Sequence, residues 1–282
     1  MSYYGETHWT NLALTPTYAG GKHIEFGGAG RTNRRILEMR NGRKLEKLKP
    51  TSELTEGEWV RELEHIDNEL THVLDVFNFL EELFRLSTES EVAISAFNTT
   101  PLFWHVFRDC LQESLFMGLS RLCDHSPDVV NVRRVLAGAM DHSEFFSAEA
   151  LRQRVAKRDL TESLTDHLME GAWAPGSGEE FLFLKKEVSR DLKRIEDIYL
   201  PIRNSCYGHR LTGIDARAMF ERTNRTELGE TLDVLRQLVV GLRLFYDNGI
   251  RPRVDVCGKK ALDLTPRRFF RDVVRAVAGR EL

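Results

Sequence analysis

Between Trp59 and Phe84, apolar residues return at every third or fourth position, as Trp59, Leu63, Ile66, Leu70, Val73, Phe77, Leu80 and Phe84. That spacing places a single stripe along a helix of about eight turns and leaves the opposite face to water. Immediately upstream, Thr55-x-x-Glu58 has the capping-box form that starts a helix. A stripe of this length needs other helices to cover it, because strand signals are almost absent from the rest of the chain. The fold class is therefore all-α, a bundle of helices of mixed length.

The remaining helices are marked by similar signals. A short segment spans 89–98. Thr100-Pro101 puts proline at a first helical position and opens a segment carrying Leu102, Phe103, Val106, Phe107, Cys110, Leu111, Leu115, Met117, Leu119 and Leu122. Being apolar on most of its circumference, this segment is expected at the bundle centre, where Arg108, Asp109, Arg121 and Asp124 would need partners. Helices are expected over 129–140 and 147–170, and Pro175, Gly176 and Gly178 mark a loop over 172–178. Ser177-x-x-Glu180 is expected to cap a helix with the stripe Phe181, Leu184, Val188, Leu192, Ile195, Tyr199 and Ile202. A short turn over 215–220 precedes a helix bearing Leu228, Leu232, Leu235, Leu238, Leu242 and Phe245, which Asn248-Gly249 ends. Residues 250–264 read as an extended excursion, and Thr265-Pro266 starts a basic helix over 267–280.

Charge divides the chain into three parts. The net charge is −3 over 282 residues, but 1–50 and 250–282 each carry nine Lys/Arg against four Asp/Glu, a net of +5 apiece. The middle, 51–249, is then −13. The organisation expected is a basic, poorly ordered tail over 1–50, a helical bundle over 51–249, and a basic extension with a terminal helix over 250–282. A polyanion would meet the basic ends and be repelled by the acidic body. No apolar run approaches the roughly 18 residues of a membrane span, and the first residues lack the pattern of a secretory signal. The expected location is cytoplasmic. Cys110, Cys123, Cys206 and Cys257 show no C-x-x-C spacing, so neither a disulfide framework nor a zinc site is expected. Glu62-x-x-His65 and Glu69-x-x-His72 repeat a di-iron spacing, but both lie on one helix. A di-metal site needs such pairs on different helices, so they read as a solvated flank and no metal or cofactor is expected.

The chemistry is concentrated in Arg203-Asn204-Ser205-Cys206-Tyr207-Gly208-His209. On a straight helix Arg203 and His209 are rotated by about 120° and separated by roughly 9 Å along the axis. One copy alone therefore makes no tight catalytic pair. Continuing the stripe through Ile195, Tyr199, Ile202, Cys206 and His209 puts the histidine on the buried phase, flanked by Arg203. A two-fold interface would face both residues with their symmetry mates in a wet cleft. Gly208 costs up to about 1 kcal/mol against alanine inside a helix, so it stands for close backbone approach or a helix end. A neutral histidine can take a proton from a ribose 2′-hydroxyl or return one to the leaving 5′-oxygen. Arginine can stabilise the charge developing on the phosphorus centre, and Asn204 can orient the phosphate or the imidazole. The same residue types also cap helix ends and compensate the dipole there, so spacing alone leaves catalytic and structural readings both open.

Arg203-Asn204, four further residues and His209 resemble the motif of the HEPN superfamily (higher eukaryotes and prokaryotes nucleotide-binding). In that motif an arginine and a polar residue precede a histidine near the end of a long helix. Trp104 through Asp124, ending Ser120-Arg121-Leu122-Cys123-Asp124, resembles the central helix of the AbiU-type, abortive-infection HEPN-like proteins. The resemblance covers about 55–249. It implies a HEPN-like bundle with extra helices and a homodimer whose paired motifs form a metal-independent endoribonuclease site. Arg203 and His209 would carry the activity, Asn204 would assist, and RNA would be cleaved by 2′-hydroxyl attack. It further implies a toxin or antiviral effector, with an antitoxin or regulatory protein as a second kind of partner. Leu211 stands where the HepT-like branch has a tyrosine, so modification at such a tyrosine is not implied. Two other readings remain open: a non-catalytic HEPN module that binds a nucleotide or protein, and a helical interaction protein whose motif is structural.

Overall fold

The computed structural model describes residues 48–126, 128–158, 161–175, 177–208, 215–254 and 265–278. Nearly all of the expected N-terminal tail lies outside the described residues, as do His209, Leu211 and most of the expected 250–264 excursion. Among the described residues every regular element is helical, and no helix is long and apolar enough to cross a membrane.

The first long helix, α1 (Glu56–Glu89), is opened by the expected capping box: the Glu58 amide donates to Thr55 Oγ1 at 3.3 Å, and the Thr55 amide donates to Glu58 Oε2 at 2.9 Å. Those bonds, with the Lys49 ammonium foremost, lower the Glu58 carboxyl to about 2. All eight residues of the predicted stripe are buried. Helix α2 (Glu91–Thr99) is capped by Ser90. Helix α3 (Pro101–Cys123) runs antiparallel to α1, as the pairing of Glu69 with Arg121 and of His72 with Ser114 shows. Gly118 permits their close approach, because a Cβ there would collide with Val73 Cγ2.

Helix α3 departs from expectation. Its second half, including Leu115, Phe116, Leu119 and Leu122, is buried as predicted, but Leu102, Phe103 and Val106 in its first turns are 77%, 56% and 54% exposed. The nearly all-round apolar pattern reflects a helix covered on different sides along its length and open at its start. Arg108 and Asp109 pair with each other at 2.7 Å.

Helix α4 (Val132–Asp141) starts later than predicted, because Asn131 caps it by accepting from the Arg134 amide at 2.8 Å. The single helix expected over 147–170 is two, α5 (Ala148–Ala156) and α6 (Glu162–Glu170). Arg158 is drawn to the end of a later helix, at Asp247 O and Asn248 Oδ1, and Thr161 caps anew. Ser177 does not cap the next helix either. A 3₁₀ turn, Gly178–Phe181, intervenes, and Ser177 makes no side-chain cap bond. Gly178 passes against the end of α4, where an added Cβ would collide with the Met140 carbonyl.

Helix α7 (Leu182–Arg194) leads toward the motif through a short helical turn, α8 (Leu200–Ile202), followed by α9 (Ala216–Phe220) and α10 (Arg225–Asn248). Gly249 ends α10 with φ 67°, donating its amide to Phe245 O at 2.8 Å. The terminal helix α11 (Thr265–Ala278) inserts Phe270 and Val274 into a second apolar cluster with Leu83, Leu86, Phe97 and Trp104.

Buried charges are paired. Glu62 accepts a bidentate grip from Arg134 at 2.8 to 3.0 Å, with both side chains about nine-tenths buried. Glu69 accepts from Arg121 at 2.6 Å. Both carboxylates of the di-iron-like spacings are thus held by arginines of neighbouring helices. Between α7 and α10, Asp191 accepts from Thr231 Oγ1 at 3.0 Å. Truncating Arg134 to alanine strands the Glu62 carboxylate and should cost about 3–5 kcal/mol in chemical denaturation. Replacing the pair together, Glu62→Leu with Arg134→Met, should recover most of that loss.

Candidate active site

Pro201 has no backbone amide hydrogen, so an α-helix running through it would leave the Asp197 carbonyl without a partner. That carbonyl instead accepts from Arg222 Nη2 at 3.2 Å. On either side of α8 the helix widens. Ile195–Tyr199 is a π turn, in which the Leu200 amide reaches the Ile195 carbonyl five residues back, and Arg203–Gly208 is a second π segment. Each π turn takes in an extra residue and delays the side-chain phase by about 100°.

The core stripe accordingly stops at Ile202, which is fully buried, and no residue of Arg203–Gly208 is. The phase predicted through Cys206 to His209 is followed only in part: Cys206 and Tyr207 are half-buried and pack against the edge of the core. The placement of His209 on the buried phase rested on that continuity, and His209 itself lies outside the described residues.

Arg203 and Asn204 are brought together. Arg203 Nη1 donates to Asn204 Oδ1 at 2.8 Å, the arginine half-buried and the asparagine exposed. Arg203 Nε is buried with no hydrogen-bond partner among the described residues. Such a guanidinium is held at the rim of the core with donor capacity in reserve. A Cβ at Gly208 would lie 3.3 Å from the Arg203 carbonyl, so the π register brings these two residues into tight backbone contact.

Tyr207 fixes the segment to α3. Its ring stacks on Phe116 at 5.6 Å and 24°, and Phe220 of α9 meets Phe116 edge-on at 5.7 Å. Burial, with the nearby charges of Asp109 and Glu113, pushes the Tyr207 hydroxyl far above its usual range, so it stays protonated. Burial also raises the Cys206 thiol. Both shifts favour the protonated forms at neutral pH.

A second polar cluster lies on the other side of the first π turn. Glu196 accepts from Arg133 and lies 3.0 Å from His125, beside a concavity of about 420 Å³ that Asp124 and Asn131 also line. Its histidine and arginine already share one carboxylate. Cys123 beneath it is raised to about 12, chiefly by burial.

The sequence pattern of the HEPN-AbiU2 family (AbiU2) matches residues 56–264, well over half of the chain. This chain belongs to the AbiU2-type HEPN-like family. No match is found among curated proteins or solved structures. Arg203 and Asn204 lie within the matched residues. Two contributors escaped sequence reasoning. The widening of the helix around Pro201 shifts the phase without leaving a mark in the spacing, and the stacking of Tyr207 on Phe116 joins positions far apart in the chain.

The raised thiol gives a direct check. Iodoacetamide should alkylate exposed Cys110 of the folded protein before Cys206, and the Cys206 rate should climb only at pH above the ~8.5 of a free thiol. Mass spectrometry of labelled peptides reads both.

Proposed function

We propose that this AbiU2-type protein is a metal-independent endoribonuclease whose site is completed when two copies bring their motifs together. One observation supports the reading: Arg203 is held at the core rim with a buried nitrogen that has no partner among the described residues and with Asn204 alongside, within the stretch that resembles the HEPN motif. His209, as a neutral imidazole, takes the 2′-hydroxyl proton while the 2′-oxygen attacks phosphorus. The 5′-oxygen leaves and receives a proton, so a 2′,3′-cyclic phosphate and a 5′-hydroxyl result. Arg203 offers paired N–H donors to the phosphoryl oxygens as their charge grows. Asn204 holds the guanidinium at the angle from which it can meet them. The biological role proposed is that of a cytoplasmic toxin or antiviral effector restrained by an antitoxin or regulatory protein.

Cleavage of labelled RNA tests the proposal. Arg203→Ala should lower the rate about 10²–10³-fold and His209→Ala about 10²–10⁴-fold, each with wild-type circular dichroism and with EDTA making no difference. Undiminished cleavage by both folded variants would sink the assignment. Loss of wild-type cleavage in EDTA would sink the mechanism. RNA bound but never cut by the wild type would instead identify a binding module.

A further inference from the structure

The family match ends at residue 264, and α11 begins at Thr265. The proposed cleavage chemistry makes no use of this helix. In sequence it carries Arg267, Arg268, Arg271 and Arg275 against one acid, Asp272, on a chain whose body, 51–249, is strongly acidic. Phe270 and Val274 anchor it, and Arg267 lies 3.7 Å from Glu82 of α1. Arg268 and Arg271 face outward and are exposed.

Beside those arginines the surface is aromatic. Phe103 of α3 stacks on Phe107 at 6.0 Å with planes 7° apart, and Phe107 stacks on Phe269 of α11 at 6.5 Å and 26°. The outer members of this ladder, Phe103 and Phe269, are 56% and 41% exposed. Partly exposed rings next to exposed arginines are the elements of a single-strand nucleic-acid platform. Each base presents a π-face to a ring, and the backbone tracks the cations. A duplex would hide its base faces from such rings.

We propose that Phe103, Phe269, Arg268 and Arg271 form a docking platform for single-stranded RNA, separate from the cleavage motif. The reading of this platform as a substrate exosite rests on the proposed nuclease function; its binding of RNA does not. Asp109 and Glu113, whose charges bear on Tyr207, lie about 9–15 Å along α3 from Phe103. Phosphate is unwelcome over those acids, so platform and motif hold different nucleotides of one strand.

The test uses the full chain and a fluorescein-labelled 2′-O-methyl oligouridylate of about a dozen nucleotides, within the range of known single-strand sites. Its blocked 2′-oxygen prevents cleavage, so anisotropy reads binding alone. Phe103→Ala and Phe269→Ala should each weaken binding about tenfold. Arg268→Gln with Arg271→Gln should flatten the log–log salt dependence by about 1.4. Phe103→Leu keeps apolar cover but loses the ring, and should weaken binding as alanine does; full rescue by leucine would overturn the stacking role. Wild-type affinity and salt slope in all these variants would overturn the platform. So would a Phe103→Ala variant that turns a dimer into a monomer on sedimentation with RNA affinity unchanged, since that marks a face between copies. Failures of the two proposals are distinguishable. Platform-dependent binding by a wild type that cuts no RNA would refute only the nuclease reading. Motif-dependent cleavage without platform-dependent binding would refute only this one.

Discussion

The missing amide hydrogen of Pro201 is the constraint on which the presentation of the motif depends. The helix that contains it is packed into the core up to Ile202, so it cannot simply break there. It widens instead into π turns on either side, and Arg222 satisfies the carbonyl that proline leaves free. The consequence is a change of phase. Ile195, Tyr199 and Ile202 point inward, and the next residue, Arg203, arrives at the rim rather than in the core. π-Bulges recur at functional sites because they turn side chains away from the face that packing would otherwise dictate.

The bundle behind that rim is tied across several helices. Gly118 lets α1 and α3 approach closely, and this seats Phe116, which in turn supports Tyr207. Asp191, buried between α7 and α10, is met by Thr231 and Arg194, so the helix leading to the motif is held in register. Buried pairs of this kind add little net stability against apolar substitutes, but they penalise any register in which one partner is stranded. Positional precision, rather than stability, is what the proposed contact between Arg203 and a phosphoryl oxygen would require.

Much of this scaffold was legible in the sequence. The α1 stripe, its capping box and the end of α10 at Gly249 could be read from spacing and residue type alone, because each depends on contacts within one or two turns. Sequence reasoning failed where distant parts of the chain decide the outcome. The first turns of α3 are as apolar as its buried half, yet only the fold determines which half is covered. Arg158 looks like any surface arginine until the end of α10 lies beside it. At the site, the adjacency of Arg203 and Asn204 was readable. The half-burial of Cys206 was not, because spacing alone carries a straight helix through Pro201. The family resemblance supplied what spacing could not: a reason to prefer chemistry over helix capping for those residues.

Whether two copies share one site can be tested by subunit complementation. Arg203→Ala and His209→Ala chains, each inactive alone, would be mixed under conditions that exchange subunits, with differently tagged copies to prove that mixed dimers form. In a shared site, one copy's Arg203 acts beside the other copy's His209, so the mixed dimer retains one complete set. RNA cleavage should then return in the mixture. Mixed dimers that form and remain inactive would contradict a site shared between copies.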